Sequence, residues 1–205
     1  MDMKLNKRWE QHIIGSGVDF VHFVDISMIR TDTTKEYTSA ILFGKALSKE
    51  YICAIRNNEQ PKTKEIFNVE RKMDALAVKF ATQIEDEGYK SIGKLKAGIL
   101  PHKTVALRAG LGFIGKNNLL ITQQYGCAVM FGKVLTTAPF ITVGEIPKEP
   151  QCGSCTVCVE VCPTKALLGK SWSITTTRDE ILTRKLCTLC HKCMVCCPYT
   201  EGYLK

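Results

Sequence analysis

Beyond residue 151 the chain carries two cysteine runs of identical spacing. Cys152, Cys155, Cys158 and Cys162 are followed by Pro163. Cys187, Cys190, Cys193 and Cys197 are followed by Pro198, so the pattern C-x2-C-x2-C-x3-C-P occurs twice, 35 residues apart. Three cysteines three residues apart in a tight loop present three thiolates to one face of a cubane, and the fourth, before proline, reaches the other cluster. The spacing therefore predicts two [4Fe-4S] clusters. One is expected on Cys152, Cys155, Cys158 and Cys197, the other on Cys187, Cys190, Cys193 and Cys162. Zinc also takes C-x2-C pairs, but as two pairs of ligands, and a redox-inert ion needs no exchanged fourth ligand. Cys196 falls outside the spacing and is read as an incidental thiol, as are Cys53 and Cys127. His191 is read as a solvated loop residue. No catalytic residue is assignable from the sequence.

The chain has 205 residues, 45% hydrophobic and 23% charged, which excludes disordered, collagen-like and low-complexity classes. Of its 11 cysteines, nine lie at or beyond Cys152. An odd number of thiols behind a polar start (MDMKLNKRWEQH), with no export signal, argues against a disulfide framework and for a cytoplasmic metal-binding protein. No apolar run approaches the ~18 residues that cross a bilayer, so no membrane partner is expected. The formal charge of +8 counts ligand cysteines as neutral. Two oxidised clusters with four thiolates each bring it to about +4.

Elements must hold these residues in place. Leu5, Trp9 and Ile13 recur at helical spacing, and Ile66, Val69, Met73, Leu76, Phe80 and Ile84 predict a longer helix closed by Gly88. Residues 20–26, 39–43, 119–122 and 128–136 read as strands, and 104–109 as a helix. Residues 138–151 hold three of the seven prolines and read as a linker. The expectation is an α/β or α+β layer domain over residues 1–148, followed by a small ferredoxin-like domain with two [4Fe-4S] clusters over 149–205.

Residues 88–144 contain no Asp or Glu, where about five or six would be expected, but hold Lys90, Lys94, Lys96, Lys103, Arg108, Lys116, Lys133 and His102. This asymmetry predicts a cavity or face for an anion. Within it, AGLGFIGKNN places Gly110, Gly112 and Gly115 beside Lys116 and Asn117. The glycines follow a helix rather than a strand, and Asn117 stands where a P-loop has Ser or Thr, so neither nucleotide motif fits. A helix cap and turn is one reading. A backbone able to approach a phosphate or a flat cofactor, corrinoid or flavin, is another.

LPHKTVALRAGLGFIGKNNLLI, YGCAVMFGKVLTTAPF and CGSCTVCVEVCPTKAL, in that order, resemble the epoxyqueuosine reductase family over roughly residues 100–200. That resemblance implies a cobalamin-binding α/β domain joined to a double-cluster ferredoxin module, an arrangement shared with reductive dehalogenases. It also implies a reductase fed by a low-potential donor such as ferredoxin or flavodoxin. It places His102, Lys103, Gly110, Gly112, Gly115, Lys116 and Asn117 in the cofactor pocket, with residues 125–135 lining the corrin. The family's proton-donating aspartate, just before the position of Pro101, has no counterpart here, and the family's tRNA-binding repeats do not follow Pro198, so tRNA is not an expected partner. A non-catalytic electron carrier, or an activator docking a partner redox protein, is the alternative.

Overall fold

The computed structural model describes residues 3–94 and 99–205. Lys96, one of the basic residues named above, lies outside them. The fold is mixed α/β, and the chain divides into two compact units, each assembled from three segments.

The first unit comprises Met1–Ala46, Glu65–Gly110 and Met130–Ile146. Strand β1 (Phe20–Asp25) pairs antiparallel with β2 (Ser39–Ala46), Phe20 opposite Gly44 and Asp25 opposite Ser39. The sheet order is β1-β2-β6-β3, with β3 (Ser91–Ile92) antiparallel to β6 (Val129–Thr136). Helix α1 (Met3–Ile14) buries Trp9 and Ile13, and α3 (Glu65–Asp86) buries Met73, Ala77, Phe80 and Ile84. These side chains share one core with Ile41 and Phe43 of β2 and Val134 of β6. The three-and-four spacing puts one helix stripe on the sheet, and each large buried side chain contributes roughly 1.5–3 kcal/mol. Helix α4 (His102–Arg108) ends at Ala109, and Gly110 follows at φ +69°, its N–H bonded to Leu107 O at 3.0 Å. That is a glycine cap.

The basic segment is balanced in space by acids from elsewhere in the chain. Lys90 pairs with Glu36 at 2.8 Å, and the Arg108 guanidinium lies 3.7 Å from Asp25 and donates to Glu145 O at 3.0 Å. Lys133 is buried near Asp74. Three of the basic residues expected to face an anion, Lys90, Arg108 and Lys133, thus lie against acids of the protein itself. Acids at Asp25, Glu36 and Asp74, remote in sequence, meet them through the fold.

The second unit comprises Leu47–Lys64, Leu111–Val129 and Pro147–Lys205. Helix α2 (Lys49–Arg56), which no periodicity announced, is capped by the Ser48 hydroxyl accepting from the Tyr51 N–H at 3.1 Å. Strands β4 (Gly112–Ile114) and β5 (Leu120–Thr122) form an antiparallel hairpin with Phe113 opposite Ile121. The cysteine-bearing segments contain only short helices, α5 (Val157–Glu160), α6 (Lys192–Val195) and α7 (Pro198–Leu204), with two 3-10 turns. Among the described residues, no helix is long and apolar enough to cross a membrane.

Candidate metal centre

The four cysteines of the first predicted set lie around one cavity. Cys152, Cys155, Cys158 and Cys197 line a space of about 90 Å³ together with Ile121, Pro198 and Tyr199. One water needs about 10–15 Å³ by the same measure, so this space suits a group of several atoms. Among the described residues, no three His, Cys, Asp or Glu groups gather closely enough to hold a single metal ion.

The hairpin β4–β5 shapes this cavity. At its tip, the Lys116 ammonium donates to the carbonyls of Gly153 at 2.7 Å and Cys155 at 3.1 Å, both in the first cysteine run. The neighbouring Asn117 amide donates to Cys193 O at 3.3 Å in the second run and to the Cys127 sulfur at 3.2 Å, while its own oxygen accepts from the Leu119 N–H. Adjacent tip residues therefore clamp both cysteine runs. The glycines make the hairpin close enough to do so. A Cβ on Gly112 would stand 1.9 Å from Ile121 O, and one on Gly126, at φ +55°, would meet the Thr200 N–H at 2.3 Å. Gly115 likewise has no room beside Ile121.

Burial pushes the Cys158 thiol up to about 11, helped by the neighbouring sulfurs of Cys152, Cys197 and Cys155. Burial also raises Cys152, against the lowering effect of the Lys116 backbone N–H. Thiolates gathered in a poorly solvated space repel one another, and a cationic iron–sulfur core would supply the missing counter-charge. Cys197 goes the other way, down to about 7, chiefly through a hydrogen bond with Cys127, with the N–H groups of Tyr199 and Thr200 adding to it. Cys127 is raised in consequence. It is buried, and its own N–H donates to Thr200 Oγ1 at 3.0 Å.

The second predicted set is also brought together. Cys162 packs with Ala166, Leu167 and Leu182, and with Cys187 and Cys193 beside them. Burial pushes Cys193 up to about 12, assisted by Cys190, Cys158, Cys187 and Cys162. The Ala166 N–H donates to the Cys162 sulfur at 3.3 Å. Cys196 is half-buried and Cys53 exposed. His191, half-buried at φ +61°, stands at the start of α6.

The residues expected around a flat cofactor divide between the units. His102, Lys103 and Gly110 belong to the first, and Gly112, Gly115, Lys116 and Asn117 to the second. Sequence reasoning placed Lys116 and Asn117 against a cofactor phosphate and did not anticipate their grip on the cysteine loops. The only local signal was that they sit where a glycine-rich hairpin turns.

No family model matches the chain. It is 36% identical over 147 residues to an epoxyqueuosine reductase of Listeria monocytogenes, covering 64% of this chain and 38% of that protein. To one of Lactococcus garvieae it is 36% identical over 146 residues, covering 64% and 40%. The chain thus spans less than half the length of these curated relatives. The solved structure of epoxyqueuosine reductase from Streptococcus thermophilus superposes with a TM-score of 0.65 at 20% identity, covering 98% of this chain and 67% of that one. Another epoxyqueuosine reductase of the same fold was solved with an epoxyqueuosine-modified tRNA stem loop, with a TM-score of 0.63, 18% identity and coverage of 98% and 66%. A reductive dehalogenase described for B12-dependent dehalogenation matches with a TM-score of 0.70 at 17% identity, covering 91% and 31%. In sequence the chain resembles the epoxyqueuosine reductases, and its fold is the one seen in solved structures of both these enzymes and the reductive dehalogenases.

Proposed function

We propose that the chain is an iron–sulfur oxidoreductase that relays single electrons through two [4Fe-4S] clusters to a corrinoid, for a reductive reaction. The observation that carries this reading is the cavity in which three cysteines of one run meet the fourth of the other. We assign residues 149–205 as the ferredoxin-like cluster module, with the β4–β5 hairpin as its support, and residues 1–148 as the α/β part that serves the acceptor. Bound clusters supply reversible one-electron storage. The chain's own residues do the rest. Lys116 and Asn117 fix the two cysteine loops against one hairpin tip, Ile121 and Tyr199 shield the first site, and Cys127 holds a thiol hydrogen against Cys197.

The corrinoid enters from the named chemistry of the relatives. Of the glycines expected against its ring, Gly112 and Gly115 are filled by their own hairpin and Gly110 by the Glu145 side chain, and Lys116 and Asn117 already hold protein carbonyls. That same commitment favours a second reading, a non-catalytic carrier or activator that passes electrons to a partner redox protein.

Anaerobic reconstitution with iron and sulfide tests the cluster reading. About eight irons per chain and two reducible cubane signals in electron paramagnetic resonance are expected. Four irons or fewer would refute it. Adding cobalamin to that protein then separates the two readings: a saturable shift of the corrinoid spectrum supports the reductase, and an unchanged spectrum the carrier. Titrating a queuosine-type tRNA stem loop in the same experiment tests the substrate class that one fold relative binds.

A further inference from the structure

The rim of the second cysteine run is unlike that of the first. Around the first cavity the sulfurs are covered by Ile121, Pro198, Tyr199 and the buried Lys116. On the second run, Leu186 and Leu189 stand 48% and 64% exposed on either side of the half-buried Cys187, and Leu189 also abuts Cys190. Leu189 is held at φ +55°, a left-handed conformation that a leucine adopts rarely. A bulky apolar side chain in that conformation, turned to water next to two predicted ligands, is costly unless something covers it.

The charges around it have one sign. No acid occurs from residue 181 to 200, whereas Arg184 and Lys185 are exposed and make no ion pair among the described residues. Lys192 reaches Asn58. Of the flanking acids, Glu180 is bound to Lys170 and to Thr177, and Glu201 is paired with Arg56. Asp179 is the one flanking carboxylate with no ion pair among the described residues.

We propose that this face docks a small acidic one-electron carrier protein, and that electrons enter the chain here, through the second cluster. The inference rests on the cluster reading above. The reduced carrier gives up one electron and leaves oxidised, and the second cluster passes from its oxidised to its one-electron-reduced level. No bond or proton is exchanged. Two exposed leucines beside the exposed cations Arg184 and Lys185 match the small, transient, charge-steered interfaces of electron-transfer pairs, where peripheral charges set the association rate. A nucleic acid would use the cations but has no use for the leucines.

The test uses the full chain, reconstituted anaerobically and shown by iron content and resonance signals to hold both clusters. Absent clusters at that stage would refute the reading on which the inference rests, before any carrier is added. Reduction by reduced flavodoxin, an acidic carrier, is then followed by stopped flow at low and high salt. The R184E/K185E double variant should react at least tenfold more slowly at low salt and lose the salt dependence of the parent. L189N, which keeps a residue tolerant of positive φ, should raise the half-saturating flavodoxin concentration several-fold. Both variants should be reduced at the parental rate by photoreduced deazaflavin, a small donor that needs no docking face. Unchanged flavodoxin rates, or an equal loss with deazaflavin, would overturn the inference. So would a double variant that keeps its flavodoxin rate while losing affinity for a tRNA stem loop, an outcome that would give the face to nucleic acid.

Discussion

At the scale of single residues, adjacent cysteines have different fates. Cys197 lines the first cavity and Cys196, next to it, does not. Cys197→Ala should therefore remove about half the bound iron and one resonance signal, while Cys196→Ala should leave both, as iron analysis of the reconstituted variants will show. Cys127 acts through Cys197. Its hydrogen bond favours the more negative sulfur of the reduced cluster, so Cys127→Ala should lower the midpoint potential of the first cluster by on the order of tens of millivolts, read in a redox titration. That Cys152, Cys155 and Cys158 line one cavity was legible because their spacing is local to one loop. The role of Asn117 was not, since its partners Cys127 and Cys193 are brought to it only by folding. His102 supplies a pH dependence of its own. Burial, and then the Lys133 cation, hold its imidazole down to about 4 from an ordinary 6.5. The folded state thus favours the neutral ring. Its contribution is complete above about pH 6.5 and is lost as the pH falls toward 4, on the order of 1–2 kcal/mol given its partial exposure. Urea unfolding of His102→Gln should show a flatter stability profile across that window than the parent.

At the scale of elements, the long helix and the strands 20–26 and 39–43 were visible in periodicity, and α3, β1 and β2 occupy those places within a few residues. Strand β4 was not visible. Gly112 carries no side chain to reveal a period, and three residues are too few to show alternation, so the segment read as cap and turn. Gly110 does cap α4, but two residues after it, at Gly112, a hairpin begins. That hairpin tolerates no enlargement at its closest approach. Gly112→Ala forces a methyl to within 1.9 Å of Ile121 O, and should cost more than about 2 kcal/mol in thermal unfolding and lower iron incorporation in parallel. Gly88→Ala is the control for backbone entropy, since its Cβ would meet nothing within 4 Å, although its φ of +90° makes a modest loss of its own. A hairpin variant that unfolds earlier but binds iron normally would separate the fold's need for Gly112 from the cluster's.

At the scale of the molecule, the two units draw on different sources of stability. The first has a shared core of Trp9, Ile13, Phe43, Met73 and Phe80 between helices and sheet. The cysteine runs of the second have four-residue helices and 3-10 turns, and a small apolar cluster around Cys158 and Cys162. Where ligands outnumber core residues, metal binding and folding are one equilibrium. Stripping iron with a chelator should therefore expose amides of residues 152–197 to hydrogen exchange by several orders of magnitude while those of α3 stay protected. A uniform increase along the chain would contradict this. The partition of segments also has a consequence for biogenesis. The second unit gathers chain from before residue 65, from 111–129 and from beyond 146, and its first cavity takes three sulfurs from one run and the fourth from a run made later. A growing chain thus presents an open-sided, three-thiol loop well before Cys197 is synthesised. On the cluster reading, iron delivered during translation would meet an incomplete site, so insertion would wait for the segment that carries Cys197 or depend on a delivery factor that shields the early loop until its fourth ligand arrives.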